Sequence, residues 1–168
     1  MDIDILTEDE MWSGLADREM LARKAVEAVF EVLGRPDPEA ELSIVFAGDD
    51  EVAQLNRSFR GKAGPTNVLS FPAAAGSGQG GPRVLGDIVL AGGVVSREAE
   101  QQGKPLASHA THLIVHGVLH LLGHDHDRED QALAMERLEA EVMARLGFPD
   151  PYQDAEARES LGPSRAAG

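Results

Sequence analysis

The chain has 168 residues, 42% of them hydrophobic, and no cysteine, which suits one domain with a proper core and excludes disulfides and thiolate metal sites. A net charge of −14 excludes a broadly cationic nucleic-acid binder, yet residues 52–124 carry six basic and three acidic side chains, so a local phosphate site remains open. The chain has no apolar run of the roughly 18 residues that a membrane span needs and starts without the basic segment of a signal peptide, so we expect a cytoplasmic protein that contacts no membrane.

The first part of the chain predicts a strand, a helix and a second strand. Ile3 and Ile5 alternate with aspartates, as in a short strand with one buried face. Apolar residues recur at helical spacing over 15–33, and this helix is expected to stop at Gly34. Residues 42–47 form a compact, β-branched apolar run, which is typical of a buried strand.

The remainder predicts four more helices and two more strands. Asp49 or Asp50 is expected to cap the first of these helices, which ends near Gly61. The glycine-rich residues 73–82 are expected to form a flexible loop. The other elements are strands over 67–71 and 85–91 and helices over 96–102, 106–122 and 130–146.

About four strands and five helices, with the helices on the faces of a mixed sheet, predict an α/β (or α+β) sandwich. We expect one catalytic metalloprotein domain over residues 1–150, in which the central helix 106–122 carries metal-binding histidines. Proline, glycine, alanine and charged residues dominate after it, so residues 151–168 are expected to form a flexible C-terminal tail.

Three histidines in the segment 116–126 are spaced H-x3-H-x5-H, a pattern that predicts a metal site. His116 and His120 lie one turn apart on the same face of a helix, close enough to share one ion. Gly123 can end the helix in the left-handed conformation, and the reversed chain can bring His126 back as the third ligand. Three histidines with an open fourth position are typical of catalytic zinc, here one ion per chain.

Helix geometry excludes the other histidines from the same ion. In a continued helix, His116 and His124 would lie about 12 Å apart along the axis, too far for zinc–nitrogen bonds of about 2 Å. The same separation excludes His112 together with His120. We therefore expect His109 and His112 to pack in the core or to support the ligands.

One position separates this motif from that of zinc peptidases. The spacing matches the H-E-x-x-H-x-x-G-x-x-H of metzincins, but Gly117 stands where those enzymes hold the glutamate base. A zinc peptidase whose general base is supplied by a residue outside this motif is thus a weakened alternative. Asp87 is a candidate either to orient a ligand histidine or to serve in helix capping or a turn, whereas Glu136 and Glu139 are expected on a solvated helix face.

The segment LNRSFRGKAGPTNVLSFP (55–72), the segment LGDI (85–88) and the histidine motif resemble the YbeY family of bacterial metal-dependent endoribonucleases, and the resemblance covers roughly residues 40–152. It implies a single-strand-specific endoribonuclease that acts in ribosomal RNA maturation, notably at the small-subunit 3′ end, and in ribosome quality control. It further implies the small ribosomal subunit or ribosome-associated proteins as partners. A non-catalytic ribosome-assembly factor with a structural metal is the other alternative.

The resemblance also assigns residues. It implies zinc at His116, His120 and His126 and a functional role for Arg60, whose guanidinium suits a phosphate but equally suits an ion pair at a helix end. His124 stands where the family commonly has tyrosine, and we expect it to replace that aromatic ring rather than to carry protons or bind metal.

Overall fold

The computed structural model describes residues 1–73 and 83–152, and its four strands form one mixed sheet. The strands are β1 (Asp2–Thr7), β2 (Ala40–Ala47), β3 (Val68–Pro72) and β4 (Arg83–Ala91). Their order is β1-β2-β4-β3; β1, β2 and β4 run parallel, and β3 pairs antiparallel with β4 as an edge strand. The predicted α/β class and four-stranded mixed sheet are confirmed.

Five α-helices accompany the sheet in the described part of the chain. They are α1 (Arg18–Leu33), α2 (Asp49–Arg60), α3 (Gly92–Gln102), α4 (Leu106–Leu121) and α5 (Glu129–Arg145). The prediction of five helices is confirmed, and the predicted stop of α1 at Gly34 is confirmed by its left-handed φ of 65°. α3 begins at Gly92 rather than at residue 96, and a 3-10 helix (Glu10–Gly14) precedes α1.

Two of the predicted segments fall largely outside the described residues. The loop 73–82 does so apart from Ala73, and the tail 151–168 does so apart from Pro151 and Tyr152. Within the described ranges, the helices are too short or too polar to cross a lipid bilayer.

The main core lies between one face of the sheet and helices α1, α4 and α5. Ile44 and Ile88 project from β2 and β4 into this core and are fully buried. Trp12 of the 3-10 helix closes one end, since its indole Nε1 donates to the carbonyl of Ala47 at 2.8 Å and its ring meets Phe46 edge-on at 4.9 Å. The aromatic pair and the hydrogen bond together fix the 3-10 helix against the end of β2.

Residues 1–73 and 83–152 cover only part of the other face of the sheet. α2 packs on it through a small apolar cluster that includes Val52, Leu69 and Val89. Toward the start of the strands, β2 and β4 instead present Ser43 and Asp87, whose side chains are hydrogen-bonded to each other. Helices therefore lie on both faces, as predicted, but the outer helices of the described ranges do not extend over the whole sheet.

The predicted cap of α2 is wrong. The residue before the helix is Gly48, whose extended backbone starts the helix one position earlier than an aspartate cap would require. Asp49 instead lies in the first turn, where its carboxylate accepts from the backbone N–H of Val94 at 3.0 Å and from Arg97 at 3.2 Å. Its negative charge still favours the helix N-terminus, because the helix dipole is positive there.

We expect Trp12→Phe to destabilise the fold. The substitution removes the donor to Ala47 and leaves a void beside Phe46, so the free energy of unfolding should fall by about 1–3 kcal/mol from the hydrogen bond alone. Urea denaturation followed by circular dichroism measures the change. Met11→Ala is the matched control, since the neighbouring Met11 is 52% exposed and its loss should cost less than about 0.5 kcal/mol. Equal stability of the two variants would contradict this account of the core.

Candidate metal centre

The end of α4 and the turn that follows bring three histidines together. His116 and His120 lie one turn apart on α4, with their Nε2 atoms 3.1 Å from each other. Gly123 then reverses the chain with a φ of 95°, and its N–H donates to the carbonyl of His120 at 3.0 Å. The ring of His126 thereby lies 5.6 Å from that of His116 and 4.9 Å from that of His120. One nitrogen from each of the three rings lies within 4.8 Å of the other two.

The chemistry of this donor set fits a divalent metal ion. Two ring nitrogens bound at about 2 Å to one tetrahedral ion lie roughly 3.3 Å apart, close to the 3.1 Å between the Nε2 atoms of His116 and His120. Unprotonated nitrogens at that distance repel each other unless a proton or a cation lies between them. Burial, together with the neighbouring His116 and His126, lowers the pKa of His120, which favours the neutral ring that a metal requires.

Glu139 supports the cluster from α5, although the sequence pattern predicts it on a solvated face. That prediction is wrong, because Glu139 is only 1% exposed. Its carboxylate lies 2.7 Å from Nδ1 of His116 and 2.6 Å from Nε2 of His112, and it accepts from the hydroxyl of Tyr152 at 2.5 Å. A signal was available, since Glu139 lies in the apolar stripe of α5 between Met135 and Val142, where a charged residue requires a buried partner.

This carboxylate is ionised in the folded protein. Burial raises the pKa of Glu139, but the hydrogen bonds from His112, His116 and Tyr152 outweigh burial and lower the pKa to about 2. Burial and the hydrogen bond to Glu139 raise the pKa of Tyr152, so its phenol stays a donor. An ionised Glu139 holds the proton of His116 on Nδ1 and leaves Nε2 free toward the other two histidines, as a ligand to metal requires.

The remaining histidines of α4 lie outside the cluster, in agreement with helix geometry. His112 contacts Glu139, while the buried His109 lies 2.8 Å from Glu98 on α3. Burial lowers the pKa of His109 and keeps its ring neutral. Glu98 also accepts from the side-chain amide of Asn67 at 3.0 Å, which links this pair to the start of β3.

Asp87 does not orient a ligand, and that candidate role is wrong. Neighbouring residues of a strand point to opposite faces of the sheet. Ile88 faces α4, so the exposed Asp87 faces away from the histidines and accepts from Ser43 instead.

Gly117 faces the sheet rather than the histidine cluster. A Cβ at this position would lie 3.1 Å from a methyl carbon of Ile88 and 3.1 Å from the hydroxyl of Ser70. The glycine therefore lets α4 pack closely on β3 and β4, and the hydroxyl of Ser70 donates to the carbonyl of Gly117 at 3.4 Å. A glutamate, as in peptidases, would have to displace this packing.

The three histidines line a cleft of about 440 Å³ between α4 and the edge strand β3. Arg60, at the end of α2, reaches into the same cleft, where its guanidinium donates to the carbonyl of Ser70 at 3.4 Å. In residues 1–73 and 83–152 it forms no ion pair, so the helix-end ion pair considered for Arg60 is not found. The other lining residues are Asn67, Val68, Pro72, Asp125 and Asp127.

The chain matches known proteins over most of its length. The family model described as Endoribonuclease YbeY matches residues 6–147. An Endoribonuclease YbeY from Rhodopseudomonas palustris is 46% identical over 151 residues, which cover 89% of this chain and 80% of the relative. The Endoribonuclease YbeY from Maricaulis maris is 47% identical over 150 residues, which cover 89% of this chain and 91% of the relative.

A solved structure supports the fold. The solution structure of a protein from Thermotoga maritima aligns with a TM-score of 0.52 at 24% sequence identity, covering 86% of this chain and 91% of that one. At this level of identity, the likeness concerns the arrangement of strands and helices only.

We expect Glu139→Gln to weaken metal binding by about 10- to 100-fold, the usual cost of losing a partner that orients a ligand. Glutamine offers one accepting oxygen in place of two, so His112 and His116 can no longer both be held. Zinc titration by calorimetry measures the affinity, and circular dichroism checks the fold. The matched control is Glu141→Gln, an exposed carboxylate on the same helix. Wild-type affinity in the Glu139 variant would show that this carboxylate does not orient His116.

Proposed function

Because the chain belongs to the YbeY family of endoribonucleases, we propose that it cleaves single-stranded RNA with one zinc ion held by His116, His120 and His126. Arg60 binds the phosphate that is cleaved. The protein acts in the cytoplasm, in the maturation of the 3′ end of small-subunit ribosomal RNA and in ribosome quality control. The small ribosomal subunit or proteins bound to it are its partners. Residues 1–150 form the catalytic domain.

The observation that carries the proposal is the presence of three converging histidines and Arg60 in one cleft. A phosphodiester is an anion, and its cleavage adds negative charge to the phosphoryl oxygens. When bound, zinc acts as a Lewis acid that stabilises such charge. The guanidinium of Arg60 complements it, since its planar donors match two phosphate oxygens at once.

The side chains of the chain itself have separate tasks. When RNA binds, the guanidinium of Arg60 releases its 3.4 Å hydrogen bond to the carbonyl of Ser70 and binds the phosphate instead. This contact orients the scissile bond. Glu139 holds the Nδ1 proton of His116 and so keeps Nε2 available. The attacking oxygen belongs either to water or to the RNA 2′-hydroxyl, and the product ends distinguish the two, because attack by the 2′-hydroxyl leaves a cyclic phosphate.

The shape of the cleft favours an unpaired strand. A cleft of about 440 Å³ has the size of a site for one small ligand, which suits a single nucleotide rather than a duplex. The cleft also lies beside β3, the edge strand of the sheet in the described residues, so an RNA strand can follow that edge.

Removal of the metal tests the proposal. A chelator should abolish cleavage of single-stranded RNA by the purified protein, and added zinc should restore it. His120→Ala should stay inactive at the same zinc concentration, because two histidines bind the ion too weakly. Arg60→Gln should bind zinc normally but lower kcat by about 100-fold, the usual cost of removing one donor to a developing anion. Arg23→Gln, on the exposed surface of α1, is the control.

Three results would contradict the proposal. Cleavage at the wild-type rate by His120→Ala and Arg60→Gln would remove both residues from the reaction. Chelator-sensitive hydrolysis of casein, with RNA left intact, would support the peptidase alternative. A metal-replete protein that turns over no RNA, although chelation lowers its Tm, would support a purely structural metal.

A further inference from the structure

Phe59, at the end of α2, is unusually exposed for an aromatic residue. Its side chain is 70% exposed, more than any other large hydrophobic residue in the described part of the chain. Its ring contacts Phe71 of β3 edge-on, with ring centroids 5.6 Å apart at an interplanar angle of 68°. Most of the ring surface is left in water, which is unfavourable for an apolar group of this size.

The pair lies directly beside the cleft. Phe59 precedes Arg60, which lines the cleft, and Phe71 stands between the cleft residues Ser70 and Pro72 on β3. Because side chains alternate along a strand, Ser70 faces α4 while Phe71 packs on the opposite face, against the cluster under α2. The aromatic pair and the histidine cleft therefore adjoin the same edge strand, β3, on its two opposite faces.

Three cationic residues lie close to Phe59 in the sequence. Arg57, Arg60 and Lys62 flank Phe59 along the chain, and none of the three forms an ion pair with any residue of 1–73 or 83–152. The chain holds 29 acidic residues against 15 basic ones, so carboxylates are plentiful, yet within residues 1–73 and 83–152 none of them forms an ion pair with these three cations. Cationic residues that follow and precede an exposed aromatic residue in the chain suit a ligand that has both phosphates and flat rings.

We propose that Phe59, supported by Phe71, is a stacking site for an unpaired base of the RNA, one step along the strand from the nucleotide in the cleft. Arg57 and Lys62 contact the phosphates on either side of that base. Proteins that bind single strands without reading sequence combine aromatic stacking with cationic grooves in this way. A base within a duplex cannot present its face to Phe59, so the site selects unpaired RNA. This inference rests on the proposed function, because it extends the same substrate site.

Binding measurements on two oligomers test the inference. Metal-replete protein is titrated into a short labelled 2′-O-methyl oligouridylate and into a matched sugar–phosphate oligomer without bases, and the Kd values are read from fluorescence anisotropy. Phe59→Ala should weaken binding of the oligouridylate by about tenfold, the usual loss for one stacked base, and should leave the base-free oligomer nearly unaffected. Phe59→Trp should restore binding, with quenching of the new indole. Leu133→Ala, 49% exposed on α5, is the matched control and should change neither Kd.

The outcomes separate this inference from the proposed function. Equal Kd values for wild type and Phe59→Ala on the oligouridylate would overturn the stacking site. So would an equal loss on both oligomers, which would indicate a damaged surface or fold. If the Phe59 variant binds RNA normally but loses a protein of the ribosome in a pull-down, the exposed ring serves protein docking instead. The proposed function fails by a different result, the absence of RNA cleavage by the zinc-loaded wild type.

Discussion

The carboxylate of Glu139 is buried between α4 and α5, where an ionised group is tolerated only when its oxygens are hydrogen-bonded. His116, His112 and Tyr152 supply the three donors. The Glu139 carboxylate of α5 therefore ties together α4, which carries two histidines of the cluster, and Tyr152. The orientation of His116 is in this way a consequence of how α5 packs on α4, so the geometry of the candidate metal centre depends on the fold.

A second constraint is the close approach of α4 to the sheet. Gly117 permits it, because any side chain there would meet Ile88 and Ser70. The approach brings His116 and His120 opposite the edge strand β3, and Arg60 reaches the same cleft over the carbonyl of Ser70. Gly117 thus stands where zinc peptidases hold their glutamate base. The absence of a side chain there also lets α4 and β3 form the two walls of the cleft.

The sequence predicts the local part of the site and misses the part built by tertiary contacts. His116, His120 and His126 could be found because they lie within one helix and one turn, where spacing alone determines distance. Glu139 lies 23 residues from His116 on another helix, so no spacing rule reaches it. The misassigned role of Asp87 has a simpler cause, since strand alternation places it and Ile88 on opposite faces and only one face meets α4. Likewise, the number of strands follows from the apolar runs, whereas the edge position of β3 depends on pairing between distant segments.

In our proposal, the metal and the cations near β3 must act together because the chain is strongly acidic. With a net charge of −14, most of the surface repels RNA, and the cleft itself includes Asp125 and Asp127 beside the histidines. A phosphate can enter that cleft favourably only when a divalent cation and Arg60 offset those carboxylates. Metal binding and RNA binding are therefore coupled in our proposal. In this proposal the acidic protein holds RNA at few positive points and therefore contacts only a short stretch of strand.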